Sequence, residues 1–425
     1  MAEVSLSELA SFVTAVWEHL TSPGQFSVGQ YKVDKRQVLL GASVAVTTTL
    51  LAVCLRLWRR KSRMVEPQPT TGKRMKAVVF TSYGGPEVMT VDEDYPVPAP
   101  SVEDDVLIRV KAASINVLDL RIREGYMNAL YRSSRRKTKL PLFPIMVGRD
   151  FSGIVEEVGS KVTKFKPGDE VWGALGLDHT YGSLAEYTIC KEAALSHKPT
   201  NLTFVEAASF PHVALTSWGA LVTSAGMTKE TTAGKRVLVH AGTGGVGTFS
   251  IQLVKAWGGH VITTCSTSGV ELVKGLGADD IIDYKLENFA SRLSEEPKLD
   301  IVLNTLGPHV EAESLGLLKR GGAYATIVTP VVNSMDNYGI VLGLVFALSQ
   351  KWKRSLYQRL IHGRRFSWAF AYANGEILDL VKQMVEDGKI KPAVENVFSL
   401  SEVHKAYEHL SRGHARGKTI IKIAD

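Results

Sequence analysis

The stretch Val237-Leu238-Val239-His240-Ala241-Gly242-Thr243-Gly244-Gly245-Val246-Gly247 decides the fold. An apolar, β-branched run ends in a cluster of glycines, and an apolar-periodic segment follows with Phe249, Ile251, Leu253, Val254 and Trp257. That order reads as strand, tight turn and helix, with the glycines where a dinucleotide pyrophosphate lies on a helix N-terminus. By its place in the pattern Gly242 permits the turn, Gly244 lets the backbone approach phosphates, and Gly247 lets helix and strand pack closely. A bare glycine pattern is weak evidence; one preceded by a strand and followed by a helix is much stronger.

Beyond the helix, His260-Val261-Ile262-Thr263-Thr264-Cys265 reads as a second buried strand and ends in Ser266-Thr267-Ser268-Gly269. An NAD site places Asp or Glu there, on the ribose 2′-hydroxyl. Small hydroxyl side chains can donate to a 2′-phosphate, which a carboxylate would repel, so the expected cofactor is NADPH. Thr243, Gly244, Gly245, Val246 and Gly247 are the expected pyrophosphate contacts, and Ser266 with Tyr284, at the end of the next strand, the contacts at the adenosine phosphate end.

Alternating strands and helices continue from about Leu202, with strands expected at Arg236–His240, His260–Thr264, Asp280–Asp283, Ile301–Asn304 and Tyr324–Ile327. Helices between them predict a doubly wound parallel sheet with right-handed crossovers. Asn333 to Gly375 reads as long, basic and helical in places. Upstream, Met75 to about Lys198 carries short alternating runs with frequent Gly and Pro (KAVVF, DVLIRVKAASI, SGIVEEVG, DEVWG, SLAEYTIC), which predicts a β-rich, partly barrel-like domain. The tail returns to strand character at Ala393–Phe398 and Thr419–Ile423 and is expected to complete that first domain. The expected organisation is therefore α/β: residues 75–204 the β-rich catalytic domain, 205–375 the Rossmann domain, and 376–425 a return to the first.

The remainder of the chain is a separate problem. A total of 425 residues suits two domains with something added, and 45% hydrophobic with 22% charged residues describes a folded protein. Residues 1–37 open with helical periodicity (Leu6, Leu9, Phe12, Val13, Val16, Trp17, Leu20), and its three acids, Glu3, Glu8 and Glu18, are unlike a matrix-targeting presequence. Val38 to Trp58 has about the length that spans a bilayer core. Its one charge, Arg56, sits near the end, and Arg59 to Arg63 add a positive flank, so a transmembrane anchor is expected with the catalytic mass on the cytosolic side. The alternative is an amphipathic or cleaved targeting region. A basic linker, 59–74, closes on the Pro- and Thr-rich MVEPQPTTGKR.

Net charge is +7 and uneven. The knots Arg56–Arg63 and Arg132–Lys139 read as solvated faces or membrane-proximal signals. The second has no interleaved aromatics beyond Tyr131, so no nucleic-acid partner is expected. Three cysteines argue against a disulfide framework and for a reducing compartment, and Cys265 reads as a small core residue.

Residues 75–425 resemble the medium-chain dehydrogenase/reductase superfamily, in its zinc-free quinone oxidoreductase branch. The resemblance rests on Ala112-Ala113-Ser114-Ile115-Asn116-Val117-Leu118-Asp119, Gly148-Arg149-Asp150-Phe151-Ser152-Gly153, Lys166-Pro167-Gly168-Asp169-Glu170-Val171 and the glycine turn. Within that branch the chain is similar to a subgroup of mitochondrial, reticulon-interacting oxidoreductases. That similarity is carried by Arg149-Asp150, Thr329-Pro330, Trp368-Ala369-Phe370 and Arg412-Gly413-His414-Ala415-Arg416-Gly417-Lys418-Thr419. The long apolar N-terminal run departs from that subgroup, whose members more usually begin with a short transit sequence.

The resemblance implies a GroES-like first domain and a list of further site residues. Asn304, Thr305, Gly307 and Ile327 would line the ribose–nicotinamide cleft, Ala369 and Ala371 would offer backbone groups, and His414, Ala415 and Arg416 would approach from the C-terminal segment. Asn116 and Asp119 fill the family's Asn-x-x-Asp position near the nicotinamide. Asn116 could donate to an acceptor oxygen with Asp119 orienting it, and Tyr126 could supply a phenolic proton. Equally, Asn and Asp satisfy turns readily and a tyrosine after glycine often packs.

Zinc members need Cys, His and Cys or Asp converging on one open site. Here Asn116 stands at the first ligand and Arg149 at the second, so no metal is expected. Arg149 and Asp150 are expected to pair in its place, and His212 reads as a loop or capping histidine. Metal-free chemistry suits hydride delivery to a quinone or an α,β-unsaturated carbonyl better than alcohol oxidation, which needs a stabiliser for the alkoxide. The implied setting is the mitochondrion, on the outer membrane with the catalytic part facing the cytosol, or alternatively the matrix or inner membrane. A homodimer and reticulon-type membrane partners are consistent with the resemblance, and a nucleotide-dependent membrane scaffold is the competing role.

Overall fold

The parallel strand pairs Arg236–Val239 with His260–Cys265 and Arg236–Val239 with Leu299–Asn304 form the centre of a six-stranded sheet. Across that sheet the strands run Asp280–Asp283, His260–Cys265, Arg236–Val239, Leu299–Asn304, Leu318–Thr326 and Arg365–Trp368, every neighbouring pair parallel. The first strand in sequence thus lies between the second and the fourth, and the crevice where the winding reverses opens at its carboxyl end, where the glycine turn begins. This structure is a computed structural model that describes residues 26–28, 31–33, 70–100, 102–138, 140–176 and 181–424.

The sheet is covered on both faces, which explains the near-continuous apolar runs of its strands. Successive side chains alternate between the faces. Val237 and Val239 pack with Phe249, Ile251 and Leu253 of the helix Gly245–Ala256, while Leu238 packs with Ile262, Val302, Tyr324 and Phe366 in a second core on the other side.

The β-rich domain holds a sheet in the order Leu195–His197, Glu170–Ala174, Asp150–Val158, Asp105–Ile115, Lys418–Lys422, Val394–Ser399, with Tyr187–Lys191 also paired to Asp105–Ile115. A three-stranded sheet of Met89–Pro98, Thr70–Phe80 and Ile145–Met146 accompanies it. The returning tail is therefore an integral strand: Thr419 faces Ile115 and Ile421 faces Ala113 in antiparallel register. That register brings Lys418 beside Asn116, from the opposite end of the sequence.

Several expectations need correction. The strand expected from Met75 begins at Thr70, inside the expected linker, because Thr70 and Arg74 pair with Pro98 and Pro96 of a strand that the sequence reading missed. The basic segment 333–375 is not only helical. It carries the helices Val331–Tyr338 and Ile340–His362 and then the sixth sheet strand, Arg365–Trp368, too short to show a period. Of the N-terminal region, Phe26–Val28 and Tyr31–Val33 form an antiparallel pair. The expected anchor Val38–Trp58 and the periodic opening segment Leu6–Leu20 lie outside the described residues; among the described residues no helix is long and apolar enough to cross a membrane.

Candidate active site

The glycine turn has the expected strand–turn–helix form, but its glycines divide the work differently. The positive φ of the turn falls on Ala241, at 53°, not on Gly242. Ala241 is held there by its N–H donating to Thr264 Oγ1 at 3.1 Å, and the Gly242 N–H donates to the Thr264 carbonyl at 2.9 Å. Gly242 is needed for packing instead, since a Cβ there would come within 2.2 Å of Thr263 Oγ1. Gly247 has the expected close approach: a Cβ would stand 2.3 Å from the Ala241 carbonyl oxygen. At Gly244, the N-cap of the helix, a Cβ would meet only the Ala241 oxygen, at 3.5 Å. Among the described residues nothing requires glycine at 244, while an approaching phosphate would.

Ser266 follows the second strand as expected, and the exposed hydroxyls of Thr267 and Ser268 lie beside it with no carboxylate in the turn. The Tyr284 N–H donates to the Cys265 carbonyl at 3.1 Å, which seats the exposed Tyr284 next to Ser266. The C-terminal segment then crosses the turn. The Gly417 N–H donates to the Thr243 carbonyl at 2.8 Å, Gly244 and Gly417 form a parallel bridge, and the Tyr284 hydroxyl lies 3.4 Å from His414 Nδ1. Thr243, Gly244, Ser266, Tyr284 and His414 are thus brought together at one rim, and Ala415 follows His414 in the chain. Arg416 is turned to Glu395 instead, through its N–H at 3.0 Å and its Nε at 3.7 Å.

At the later strand ends, Thr305 Oγ1 donates to the His240 carbonyl at 2.9 Å, Ile327 follows its strand, and Ala369 spends its N–H on the Thr326 carbonyl at 2.9 Å. Ala371 packs against the core on the glycine-turn side of the sheet. Asn304 does not face the cleft. It is fully buried, its Nδ2 donating to the Gly307 carbonyl at 2.7 Å and to Tyr324 Oη at 2.6 Å, its Oδ1 accepting from the N–H groups of Leu306 and Gly307. It locks the turn in which Gly307 takes a φ of 117°.

Between the two domains lies a buried polar network that the sequence reading only half saw. Lys418 Nζ donates to Asn116 Oδ1 at 2.5 Å and to the Ile115 carbonyl at 3.1 Å, and lies 3.3 Å from Asp150 Oδ2. The same carboxylate oxygen accepts from Ser114 Oγ at 2.6 Å and Asn116 Nδ2 at 2.9 Å, while Asp150 Oδ1 accepts the His212 N–H. Asp150 therefore pairs with Lys418 and not with Arg149. Arg149 points elsewhere, to the Gly176 carbonyl at 2.7 Å and to the Tyr131 hydroxyl. Arg149 lies just before the strand Asp150–Val158, and with its guanidinium held by those two groups and the Asp150 carboxylate held by Lys418, the two do not meet. His212 is in the first turn of the helix Pro211–Ser217, not in a loop. Burial, with Lys418 and Arg149 nearby, pushes its imidazole pKa down against the pull of Asp150.

Asn116 precedes the helix Val117–Arg123, and its N–H donates to Asp119 Oδ2 at 2.8 Å, half of a capping box. Asp119 Oδ1 also accepts the Gly148 N–H at 3.3 Å, and burial pushes the carboxyl pKa up. Tyr126 is partly buried under the guanidinium of Arg121, 5.7 Å from its ring centre, and burial raises its phenol pKa as well. Lys418, the centre of the network, was missed; its one cue was a cation heading a buried strand.

These residues do not fit a zinc ion. An ammonium already occupies the side-chain oxygens of Asn116 and Asp150, and Arg149 adds a permanent cation from the neighbouring position.

Two family patterns match the chain: one described as an alcohol dehydrogenase GroES-like domain over residues 102–200, and one described as zinc-binding dehydrogenase over residues 276–421. The chain is similar to the mitochondrial NAD(P)H oxidoreductase RTN4IP1 of Bos taurus, 40% identical over 373 residues, covering 86% of this chain and 92% of that protein. It is also similar to the chloroplastic NADPH-dependent alkenal/one oxidoreductase of Arabidopsis thaliana, 34% identical over 359 residues, 82% of this chain and 80% of that protein. Among solved structures, the quinone oxidoreductase from Coxiella burnetii superposes with a TM-score of 0.66 at 32% identity, covering 83% of this chain and 100% of that one.

Proposed function

The chain belongs to the medium-chain dehydrogenase/reductase superfamily, as an NAD(P)H oxidoreductase, and from that premise we propose that it is a metal-free, NADPH-dependent reductase of α,β-unsaturated carbonyls or quinones. The observation that carries this reading is the ammonium of Lys418, fixed among Asn116, Asp150 and the Ile115 carbonyl where a metal would need open ligands. With that position taken by a side chain, alkoxide stabilisation by a Lewis acid has no place, and an acceptor that needs only a hydride and a proton fits better. The names of the plant and Coxiella relatives, an alkenal/one and a quinone oxidoreductase, point to the same two acceptor classes.

The residues divide into three roles. Gly244, Gly245, Val246 and Gly247 hold the pyrophosphate, Ser266 with Tyr284 the 2′-phosphate end, and Thr243, Thr305, Gly307, Ile327, Ala369, Ala371, His414 and Ala415 line the rest of the cleft. When bound there, NADPH supplies the hydride. Asn116 and Asp119 are positioning residues, since their polar atoms are spent on Lys418, Asp150 and the helix cap. Tyr126 is the proposed proton donor: its phenol is protonated at neutral pH and can donate to an acceptor oxygen, although burial raises its pKa and makes it the weaker acid. Asn304 and Arg416 are left out of the cofactor site because each is engaged elsewhere.

We further propose a mitochondrial location, as printed in the name of the Bos taurus relative. In this reading the chain is held at the outer membrane through Val38–Trp58, with its catalytic part in the cytosol, and protease protection on intact mitochondria tests that topology. Reticulon-type partners rest on the resemblance alone and are tested by co-precipitation. The reaction is tested by anaerobic NADPH oxidation by the full chain with a panel of enones and ubiquinone analogues. Turnover with at least one class is expected; no turnover with any member contradicts the reading.

A further inference from the structure

The helix Ile340–His362 is 23 residues long, yet Gly343 and Ala347 are its only fully buried residues. Its large apolar side chains are left outside: Leu342 is 62% exposed, Phe346 46%, Tyr357 56% and Ile361 59%, with Leu360 also exposed. At 100° per residue, Leu342, Phe346, Lys353, Tyr357 and Leu360 follow one another at spacings that keep them within a stripe about 60° wide. Phe346 also meets Tyr338, itself exposed, with 5.4 Å between the ring centres, so the exposed apolar surface continues onto the end of the neighbouring helix Val331–Tyr338. A soluble surface does not ordinarily leave such a row uncovered.

Charge identifies what covers it. No Asp or Glu occurs from Asn337 through Gly375, while Lys351, Lys353, Arg354, Arg359, Arg364 and Arg365 fall in the same stretch. Arg354 reaches Glu311 of another helix, but Lys353 and Arg359 are exposed with no ion pair among the described residues. Lys353 sits in the middle of the apolar stripe. Against an apolar protein partner that ammonium would be desolvated at a cost; on a lipid surface it reaches up to the headgroups while the ring and aliphatic side chains sink beneath them. A long helix with an exposed apolar face, aromatic residues and cations without acids is the pattern that lies in a membrane interface.

We propose that Ile340–His362 is a docking face for an anionic phospholipid surface, separate from any N-terminal anchor and independent of the reaction assigned above. The test is co-sedimentation of the full chain with phosphatidylcholine vesicles, with and without phosphatidylserine. Wild type, Phe346→Ser/Leu360→Ser and Lys353→Glu/Arg359→Glu are compared, each first checked for an unchanged melting temperature. Wild type is expected to prefer the anionic vesicles, less so at high salt, and each double variant to lose about tenfold in partitioning. Anionic vesicles are also expected to slow hydrogen exchange at the helix. Equal binding by variants and wild type would overturn the proposal, placing the contact elsewhere in the chain. So would a wild-type dimer that the Phe346→Ser/Leu360→Ser variant dissociates, since a second copy would then cover the stripe.

Discussion

Lys418 Nζ lies 3.3 Å from Asp150 Oδ2, and both side chains are almost wholly withdrawn from solvent. One comes from the last strand and the other from the strand Asp150–Val158, so the pair ties the C-terminus of the chain to the middle of the β-rich domain. Removing one partner leaves a buried charge uncompensated. Lys418→Met is expected to cost about 3–5 kcal/mol, and Lys418→Met/Asp150→Asn together less than the sum of the two singles. Denaturant unfolding of the four proteins measures this; additive losses would mean that the pair is not coupled.

The two glycines of the turn make opposite predictions. Gly247→Ala forces a Cβ to within 2.3 Å of a backbone oxygen and should destabilise the protein by about 1–3 kcal/mol. Gly244→Ala meets only one atom, at 3.5 Å, and takes a φ of −70° that alanine adopts freely. It should melt like wild type while its NADPH dissociation constant rises about tenfold, a loss of about 1.4 kcal/mol. Equal effects of the two changes on both stability and binding would refute the division of roles.

His240, on the strand end below the turn, has its pKa pushed down to about 4, first by burial and then by His309. Its Nε2 lies 2.9 Å from Ser314 Oγ, and its ring stands edge-on to Phe289. A neutral buried histidine favours the folded state fully above its unfolded value of 6.5, and this contribution is lost as pH falls through about 4. Stability should therefore decline by about 3 kcal/mol from this group between those limits. His240→Gln should lack that component in denaturant midpoints measured across the same range.

Asp336 joins the two domains. Its carboxylate accepts the Met127 N–H at 2.9 Å and the Ala129 N–H at 2.8 Å, at the start of the helix Asn128–Thr138. Asp336→Ala should cost about 0.5–2 kcal/mol, the range for a lost helix cap, read as a lower melting temperature. An unchanged melting temperature would mean that the cap contributes nothing.

Much of this was legible in the sequence where the signal is local. The strands around Gly242–Gly247 and the hydroxyl-rich end at Ser266 were readable because periodicity and turn chemistry reside in neighbouring residues. Asn116 and Arg149 were readable as unfit for a metal from their side-chain types alone. What escaped depends on partners distant in sequence. Lys418 meets Asn116 through antiparallel pairing across the whole domain, and the Arg149–Asp150 pair failed because Gly176 and Tyr131 hold the guanidinium while Lys418 holds the carboxylate. Asn304 is placed in the cleft by the resemblance alone, and only the turn that follows it shows why it is buried. The cluster around Arg132 looked like a solvated face, yet Arg135 is buried and donates to the Pro144 carbonyl at 3.0 Å.

The central claim, metal-free hydride transfer from NADPH, is tested most directly by following deuterium. The full chain, treated with a strong chelator, is given NADPH carrying deuterium at the reactive nicotinamide carbon and an α,β-unsaturated ketone. The predicted result is deuterium at the β-carbon of the saturated product, at a rate the chelator leaves unchanged. Loss of the reaction on chelation, with recovery on adding zinc, would contradict the account.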